Sequence, residues 1–499
     1  MKFTKTAAAI ASLAFATGVA AKESNVGIFG TSGKGMGDHT YIAQDGPKAD
    51  NIREVLSNVT LPEGFKIDLY AIVPDARDMA MAPQGTALFV GTRKDKVWVI
   101  SDRDRDGVAD EVKDFAPSLT FDVPNGVQFT KDGFLYIAER NHVRLFPAAE
   151  YFFEGPDVVA VDIVPKGELI PEGEESYNHT TRVIDIGPDN KVYISLGQPY
   201  NVAPEDKLEL YKEVGIGGII RMDRDGSNRE VYTYGVRNSV GQDFHPETGE
   251  LWWTDNQVDG MGDDIPPGEL NRQTAAGQHF GHPWFGGGTV RTNEYAGQTP
   301  PEGVVHPAVE TTAHCADLGM AFYSGDQFPS KYKNAIFHAQ HGSWNRTTPC
   351  GSRVMVTFID DEGNASMEPF AEGWLNANQE YDGRTSHGTL INTNDVHHLW
   401  QLYSLNEGHK LAWKTIRYLD ERDKFQHPRW LNALSKFTGP VHICWGEADR
   451  VAPLAVAQYL KRDVCSKALL TVMPDVGHFC ETQAPELWSE SILRFYEAI

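Results

Sequence analysis

The sequence predicts a mainly β chain, in which a six-bladed-type β-propeller lacking most of its last blade precedes a partial α/β segment. Three observations support this prediction. The 499 residues include 47 Gly and 28 Pro, and such a turn-rich composition favours many short strands. A strand–turn–strand pattern recurs along residues 61–384. After residue 385 the apolar residues change to helical spacing.

The N-terminal sequence predicts a segment that is cleaved off and takes no part in the fold. Lys2 and Lys5 precede the mostly small and apolar run Thr6–Ala16, and Val19-Ala20-Ala21 has the small side chains of a signal-peptidase site. Residues 1–21 are therefore interpreted as a secretory signal peptide, which predicts export to the periplasm. No later run approaches the ~20 apolar residues that a membrane span needs. Residues 22–60 are rich in Gly and polar residues, and we expect a tether there.

The repeats between residues 61 and 384 favour a propeller over the alternative, a β-sandwich. Each repeat has an apolar-alternating strand, a turn with Pro, Asp or Gly, and a second strand. A sandwich would not repeat this pattern so regularly. The five repeats are Met79–Asp102, Gly126–Phe146, Arg182–Gln198, Gly241–Gln257 and Met320–Arg346. A sixth repeat begins near Arg384 and is truncated.

Residues 385–499 have the pattern of another protein. The stretch VHHLWQLYSLNEGHKLAWKTIRYLDERDK has helical spacing. A strand VHICWG, a helix PLAVAQYLKRD, a strand ALLTVMP and a helix PELWSESILRFYEAI follow it. This β-α-β-α order predicts part of a parallel α/β sheet.

Charge and cysteine content limit the partners and cofactors that the chain is expected to bind. Lys and Arg number 45 and Asp and Glu 69, so the net charge of −24 argues against nucleic acid or an anionic membrane as a partner and suits cations. None of the five cysteines forms a CxxC or CxxCH motif, so neither a zinc ribbon nor attached haem is indicated. Cys315 and Cys350 either pair in an oxidising compartment or remain two buried thiols.

Several long runs, in the right order, resemble one family. They include LPEGFKIDLYA, YNHTTRVIDIGPDNKVYISLGQP, YTYGVRNSVGQDFHPETGELWWTDN, FGHPW and HGSWNR. Residues ~61–384 thus resemble the soluble pyrroloquinoline-quinone (PQQ)-dependent sugar dehydrogenases of the sorbosone/pyranose type. The resemblance implies calcium- and PQQ-dependent oxidation of a sugar by hydride transfer to the quinone. Without a haem motif, the electron acceptor is expected to be a separate soluble molecule.

The resemblance also implies roles for individual residues. His179 in YNHTTRV matches the base that removes the hydroxyl proton, a role that suits the pKa of histidine. Gln198 stands where glucose-oxidising relatives have an acid that orients this base, so a polar contact in the site is expected instead. The matched cofactor-binding residues are Arg77, Gln198, Arg237, Asn238, Arg346 and Arg384. Arginine pairs with carboxylates through two hydrogen bonds, and PQQ carries three carboxylates.

Two acidic loops are candidate calcium sites. The family holds calcium beside the quinone, and the matching loop is Trp252–Asn271. Its candidate ligands are Gln257, Val258, Asp263, Asp264 and Glu269, with backbone oxygens expected to contribute. In the second loop Asp102, Asp104, Asp106 and Asp110 have EF-hand-like spacing. Lys113 replaces the bidentate Glu there, so the alternatives are a shorter calcium loop and a solvated turn.

Residues ~386–499 resemble the C-terminal part of an α/β-hydrolase. Asp449 in VHICWGEADRVAP matches the triad acid, and His478 in MPDVGHFCETQAPE matches the triad base. The chain has no GxSxG nucleophile motif, so this triad is predicted to be vestigial and the segment an inactive remnant.

The join near residue 385 affects the propeller. A propeller closes by pairing its last blade with the opening strand, here FKIDLYA, and loss of most of a blade leaves strand edges unpaired. We therefore expect a quinone site that survives in outline with impaired activity. The rival functions are a lactonase-type calcium propeller and a non-catalytic binding propeller.

Overall fold

The fold was obtained as a computed structural model that describes residues 38–360, 363–375, 425–449, 452–478 and 480–497. The chain divides into two compact units, Met1–Gly383 and Arg384–Ile499. The predicted signal peptide, the predicted helical stretch 396–424 and Arg384 lie outside the described residues. Among those residues, the helices are too short or too polar to cross a bilayer.

In the described residues the first unit contains five four-stranded antiparallel sheets, and four of them are built from consecutive strands. The fourth sheet is interrupted by a two-stranded hairpin, Phe285–Gly287 with Val290–Arg291, before its outer strand Val309–Thr311. The strands of sheets 1 and 2 are β1 (Ala76–Met81), β2 (Leu88–Thr92), β3 (Trp98–Ser101), β4 (Glu111–Asp114), β5 (Gly126–Phe129), β6 (Leu135–Glu139), β7 (His142–Phe146) and β8 (Val161–Val164). Those of sheet 3 are β9 (Ile184–Ile186), β10 (Val192–Leu196), β11 (Gly218–Met222) and β12 (Glu230–Tyr234).

The remaining strands complete sheets 4 and 5. They are β13 (Gly241–Phe244), β14 (Leu251–Asp255), β15 (Gly268–Gln273), β16 (Phe285–Gly287), β17 (Val290–Arg291), β18 (Val309–Thr311), β19 (Asp317–Phe322), β20 (Ile336–Gln340), β21 (Arg353–Ile359) and β22 (Ala365–Glu372). The first two predicted repeats span the first three strands of their sheets, and the other three repeats span the first two. The prediction of a mainly β, propeller-type fold with five repeats is confirmed.

Apolar side chains between neighbouring sheets hold the propeller together. One cluster joins sheets 1 and 2 around Phe89 and Phe146, and another joins sheets 2 and 3 around Ile194. Similar clusters around Trp253 and Trp252 join sheets 3, 4 and 5. The alternating apolar pattern of each strand thus places one set of side chains against each neighbouring sheet.

The segment before β1 packs on the faces of sheets 1 and 5 that have no neighbouring sheet among the described residues. Phe65 packs on the aromatic face of sheet 5, and Tyr70 packs on sheet 1. Thr60 forms an isolated bridge with Glu372 of β22. Residues 65–71 (FKIDLYA) belong to no sheet in the described part of the chain. The expected partners of this opening strand are therefore not among the described residues.

One short helix precedes sheet 1, two lie between strands of sheets 2 and 3, and further helices follow in the second unit. The helices of the first unit are α1 (Pro47–Leu56), α2 (Ala149–Phe152) and α3 (Leu208–Val214). The predicted tether 22–60 thus includes α1. Single 3-10 turns cover Glu172–Glu174, Glu205–Lys207 and Ser330–Tyr332.

The second unit has a parallel two-stranded core. Its strands β23 (His442–Gly446) and β24 (Leu469–Met473) pair in parallel. Its helices are α4 (Asn432–Ser435), α5 (Leu454–Tyr459), α6 (Cys480–Gln483) and α7 (Pro485–Glu497), and π-helical turns cover Gln426–Leu431 and Leu460–Val464. Ile443 and Ala457 are buried between β23 and α5. The predicted partial α/β segment is confirmed.

Candidate active site

His179 lies in the loop between β8 and β9, with a left-handed backbone (φ 53°). Its Nδ1 is 2.5 Å from the carbonyl oxygen of Gln198. Burial, with Arg237 nearby, lowers the pKa of His179 to about 4. The imidazole is therefore neutral near pH 7. Because a carbonyl only accepts, Nδ1 carries the proton and Nε2 keeps the lone pair that a general base needs.

Gln198 orients the His179 ring through its backbone. Its carbonyl oxygen accepts a hydrogen bond from His179. Its fully buried side chain contacts Tyr200 instead, because Oε1 accepts from the Tyr200 backbone N–H at 2.9 Å. The Gln198 Nε2 donates to the Tyr200 carbonyl oxygen. The Gln198 side chain thus makes its polar contact within its own loop, two residues along the chain.

Arg237 and Asn238 form a turn that a buried carboxylate holds. Asp255, at the end of β14, accepts the backbone N–H of Arg237 at 2.8 Å and that of Asn238 at 2.6 Å. The Asn238 side chain is 8% exposed, and its Oδ1 has no hydrogen-bond partner among the described residues. A buried amide without a partner indicates a position for a bound polar group.

Gly197 allows His179 and Asn238 to come together. A Cβ built on Gly197 would lie 2.4 Å from Asn238 Oδ1 and 2.8 Å from the His179 carbonyl oxygen. Any larger residue would separate the base from the Arg-Asn turn. The sequence motif SLGQP contains this glycine, but the motif alone does not show what it contacts.

Several cations surround His179. Arg237, Arg182 and Arg93 each lower the pKa of His179 by their charge. Arg77 belongs to the same end of sheet 1, because Asp75 contacts both the Arg77 guanidinium (3.8 Å) and the Arg93 backbone N–H (2.8 Å). The Arg77 Nε is buried without a hydrogen-bond partner in the described part of the chain. This cationic surface in an acidic chain suits an anionic ligand.

Sequence reasoning missed Arg93, Arg182 and Asp255. Arg93 follows β2 in the TRKDK turn, a position equivalent to the loop ends that carry other site residues. This equivalent position was the one feature of the sequence that could have pointed to Arg93. Nothing in the pattern distinguishes Asp255 from other acidic residues.

Arg346 contacts the acidic loop, and this affects two calcium candidates. Its Nη1 donates to the carbonyl oxygens of Asp263 and, at 3.1 Å, Ala313. The Asp263 carboxylate accepts the backbone N–H of Thr347 at 3.0 and 3.1 Å. Asp264 is 3.5 Å from Arg346, and its side chain is 91% exposed. Both carboxylates therefore face cationic or N–H donors.

The other calcium candidates lie deeper. The carbonyl oxygens of Gln257 and Val258 accept no hydrogen bond from the described part of the chain, although both residues are buried. Glu269 accepts the backbone N–H of Gly288 at 2.7 Å, and burial raises the pKa of Glu269 to about 8. Two adjacent free carbonyls suit calcium, which prefers oxygen ligands, better than a carboxyl that stays protonated.

The loop between β3 and β4 gathers three of the four predicted acidic residues. The carboxylates of Asp102, Asp104 and Asp106 come within 4.8 Å of one another. Asp110 instead accepts the Arg103 backbone N–H at 2.6 Å. This loop does not include any residue of the His179 site.

A disulfide closes the loop that carries Arg346. Cys315 and Cys350 are bonded, which selects one of the two alternatives that the sequence left open. The Ser343 backbone N–H donates to the Cys350 carbonyl oxygen at 3.0 Å, next to the disulfide. Residues 341–351 therefore form a closed loop at the site.

In the second unit the predicted acid and base are in contact. The Nδ1 of His478 is 3.1 and 3.0 Å from the two carboxylate oxygens of Asp449. Asp449 is buried and the His478 side chain is 38% exposed. This arrangement holds a base, and the sequence has no GxSxG motif to supply its nucleophile.

Comparison with known proteins identifies the class of the first unit. The family model "Glucose / Sorbosone dehydrogenase" matches residues 164–342, which include His179, Arg237 and Asn238. The first unit is thus a sugar-dehydrogenase-like propeller, and the resemblance predicted from the motifs is confirmed. The C-terminal resemblance is weaker and partial.

Individual relatives agree with this division. An uncharacterised protein of Borreliella burgdorferi is 28% identical over 340 residues, which are 66% of this chain and 85% of that protein. A Trichoderma reesei structure of Carbohydrate-Active Enzymes Family AA12 has a TM-score of 0.51 at 19% identity, covering 63% of this chain and 85% of that one. At this identity the likeness shows the fold alone.

The second unit matches only part of its relatives. "Putative hydrolase LipZ" of Mycobacterium tuberculosis is 32% identical over 94 residues, which are 19% of this chain and 32% of that protein. This chain therefore matches about a third of that hydrolase.

Proposed function

We propose that the chain oxidises a sugar with PQQ and calcium as cofactors and passes the electrons to a separate soluble acceptor. The observation that carries the proposal is a neutral, oriented His179 surrounded by arginines. The matched family model supports the reaction class. The N-terminal signal pattern supports export to the periplasm.

The residues present fit both cofactors. Arg77, Arg93 and Arg237 would attract the PQQ carboxylates, and the unpartnered amide of Asn238 would bind a polar edge of the ring system. The free carbonyls of Gln257 and Val258 would hold calcium. Arg346 would add charge from the closed loop. When bound, PQQ supplies the two-electron acceptor and calcium a Lewis acid beside it.

The protein contributes the proton transfer. The Nε2 lone pair of His179 accepts the proton of the substrate hydroxyl as the adjacent C–H bond breaks and the hydride leaves with its electron pair. The carbon becomes a carbonyl. The hydrogen bond from Nδ1 to the Gln198 carbonyl keeps the ring in the required tautomer throughout. The arginines around His179 favour return of its proton to solvent.

Reconstitution tests this proposal. The full chain is incubated with PQQ and calcium and assayed by dye reduction on a panel of aldoses. We expect dye reduction that EDTA abolishes and that His179→Gln reduces by at least 100-fold with PQQ binding retained. Absence of dye reduction with bound PQQ would contradict the proposed reaction.

The described residues of the first unit form five four-stranded sheets and no sixth, which favours one alternative, a non-catalytic binding propeller. Faces of sheets 1 and 5 are covered by single chain segments in the described residues. Under this alternative the chain would bind calcium or a ligand without reducing any dye. A lactonase would hydrolyse a sugar lactone without PQQ, so a lactone assay in the same samples separates the two.

A further inference from the structure

Asp259 links three loops of the first unit beside the proposed cofactor site. Its Oδ2 accepts from Arg237 Nη2 at 3.1 Å, and its Oδ1 accepts from Asn345 Nδ2 at 2.9 Å. Its backbone N–H donates to Asn201 Oδ1 at 2.8 Å. One residue thus joins the Arg-Asn turn, the loop after β10 and the closed loop 341–351.

Asp259 is the only carboxylate that accepts a hydrogen bond from the Arg237 guanidinium in the described part of the chain. The other acceptors of the guanidinium are the carbonyl oxygens of Asn201 (2.9 Å) and Asn256 (3.0 Å) and the side-chain oxygen of Asn201 (2.9 Å). The Arg237 side chain is 5% exposed and that of Asp259 29% exposed. A buried guanidinium with fixed acceptors has a fixed direction.

Loop 341–351 has its base and its tip held separately. The Ser343 backbone N–H closes the base by donating to the Cys350 carbonyl oxygen at 3.0 Å, and the disulfide anchors Cys350 to Cys315. The tip reaches Asp259 through Asn345, whose Nδ2 also lies 3.3 Å from His314 Nδ1. Arg346 follows Asn345 directly, so the contact with Asp259 lies next to this cation, whose guanidinium also donates to the carbonyl oxygens of Asp263 and Ala313.

We propose that Asp259 is a positioning residue that holds the Arg237 guanidinium and loop 341–351 in the arrangement that binds an anionic cofactor. The inference rests on the proposed function. This role and the simpler role of a counter-ion predict opposite changes in PQQ affinity when Asp259 is removed. If Asp259 only neutralised Arg237, its removal would strengthen attraction for the polyanionic PQQ. A positioning role predicts weaker binding, although a negative charge is removed.

The experiment compares Asp259→Ala and Asp259→Asn with the matched control Asp326→Asn, which removes an exposed charge elsewhere on the first unit. PQQ affinity is measured by quenching of tryptophan fluorescence in the presence of calcium. We expect the dissociation constant to rise at least tenfold in both Asp259 variants and to stay within twofold in the control. Tighter or unchanged binding in the Asp259 variants overturns the proposal.

A second readout needs no cofactor. In hydrogen-exchange mass spectrometry of the chain alone, Asp259→Ala should speed exchange of peptides within residues 341–349 at least fivefold, and Asp326→Asn should not. Unchanged exchange there overturns the positioning role. If the wild-type chain binds no PQQ, the proposed function fails, and this exchange measurement still decides whether Asp259 fixes the loop.

Discussion

Replacing Gly197 with alanine tests whether close approach of His179 to the Arg-Asn turn matters. The added Cβ would lie 2.4 Å from Asn238 Oδ1 and 2.8 Å from the His179 carbonyl oxygen. Reaching an ordinary contact of about 3.4 Å requires Asn238 to move by about 1 Å and His179 by about 0.6 Å. A misplacement of about 1 Å costs ~100-fold in rate, and overpacking costs about 1–3 kcal/mol.

The assay is kcat for aldose oxidation after reconstitution, together with the free energy of unfolding in urea. We expect Gly197→Ala to lower kcat by about 100-fold and stability by about 2 kcal/mol. Gly173→Ala is the matched control, because no atom lies within 4 Å of its added Cβ. Wild-type kcat in Gly197→Ala would refute the proposed geometry of base and turn.

Four further predictions follow from single groups. Because the pKa of His179 is lowered to about 4, kcat/KM should stay level above pH 5 and fall below pH 4; a fall centred near 6.5 would contradict this. The pKa of Glu269 is raised to about 8, so the folded state holds this proton more tightly than the unfolded state does. The unfolding free energy should therefore fall as pH rises from about 4.5 to 8. Glu269→Gln should weaken this decline in urea titrations. The Cys315–Cys350 disulfide closes a loop with a sequence separation of 35, so Cys315→Ser should lower the unfolding free energy by about 4 kcal/mol. A reductant should cause the same loss of stability in the wild type and none in the variant. A fluorophosphonate probe should not label the chain, and labelling that His478→Ala abolishes would overturn the vestigial triad.

The fold was predictable because each sheet repeats the same local pattern. Alternating apolar residues and Gly- or Asp-containing turns define the hairpins, as in Gly241–Gln257, and burial then follows from strand geometry. The opening segment FKIDLYA has the same alternation, yet it forms no strand in the described structure. Alternation gives a strand only where a neighbouring strand supplies hydrogen-bond partners.

The candidate site was predictable only in part. The motif supplied His179 and Arg237, but the atom that orients His179 is a backbone carbonyl, which every residue possesses. Asp263 has the carboxylate of a typical calcium ligand. Its carboxylate instead accepts a hydrogen bond from Thr347, which lies 84 positions further along the chain. Such long-range contacts arise from the order of the blades, which single motifs do not encode.

The most direct measurement of the central claim is a single-turnover absorbance experiment. The calcium-loaded chain is mixed with PQQ and then with an aldose in the absence of an acceptor, and the quinone spectrum is followed. The proposed function predicts that the sugar reduces the bound chromophore in the wild type, and that His179→Gln binds PQQ but reduces it at least 100-fold more slowly. A bound chromophore that no aldose reduces in the wild type would contradict the claim.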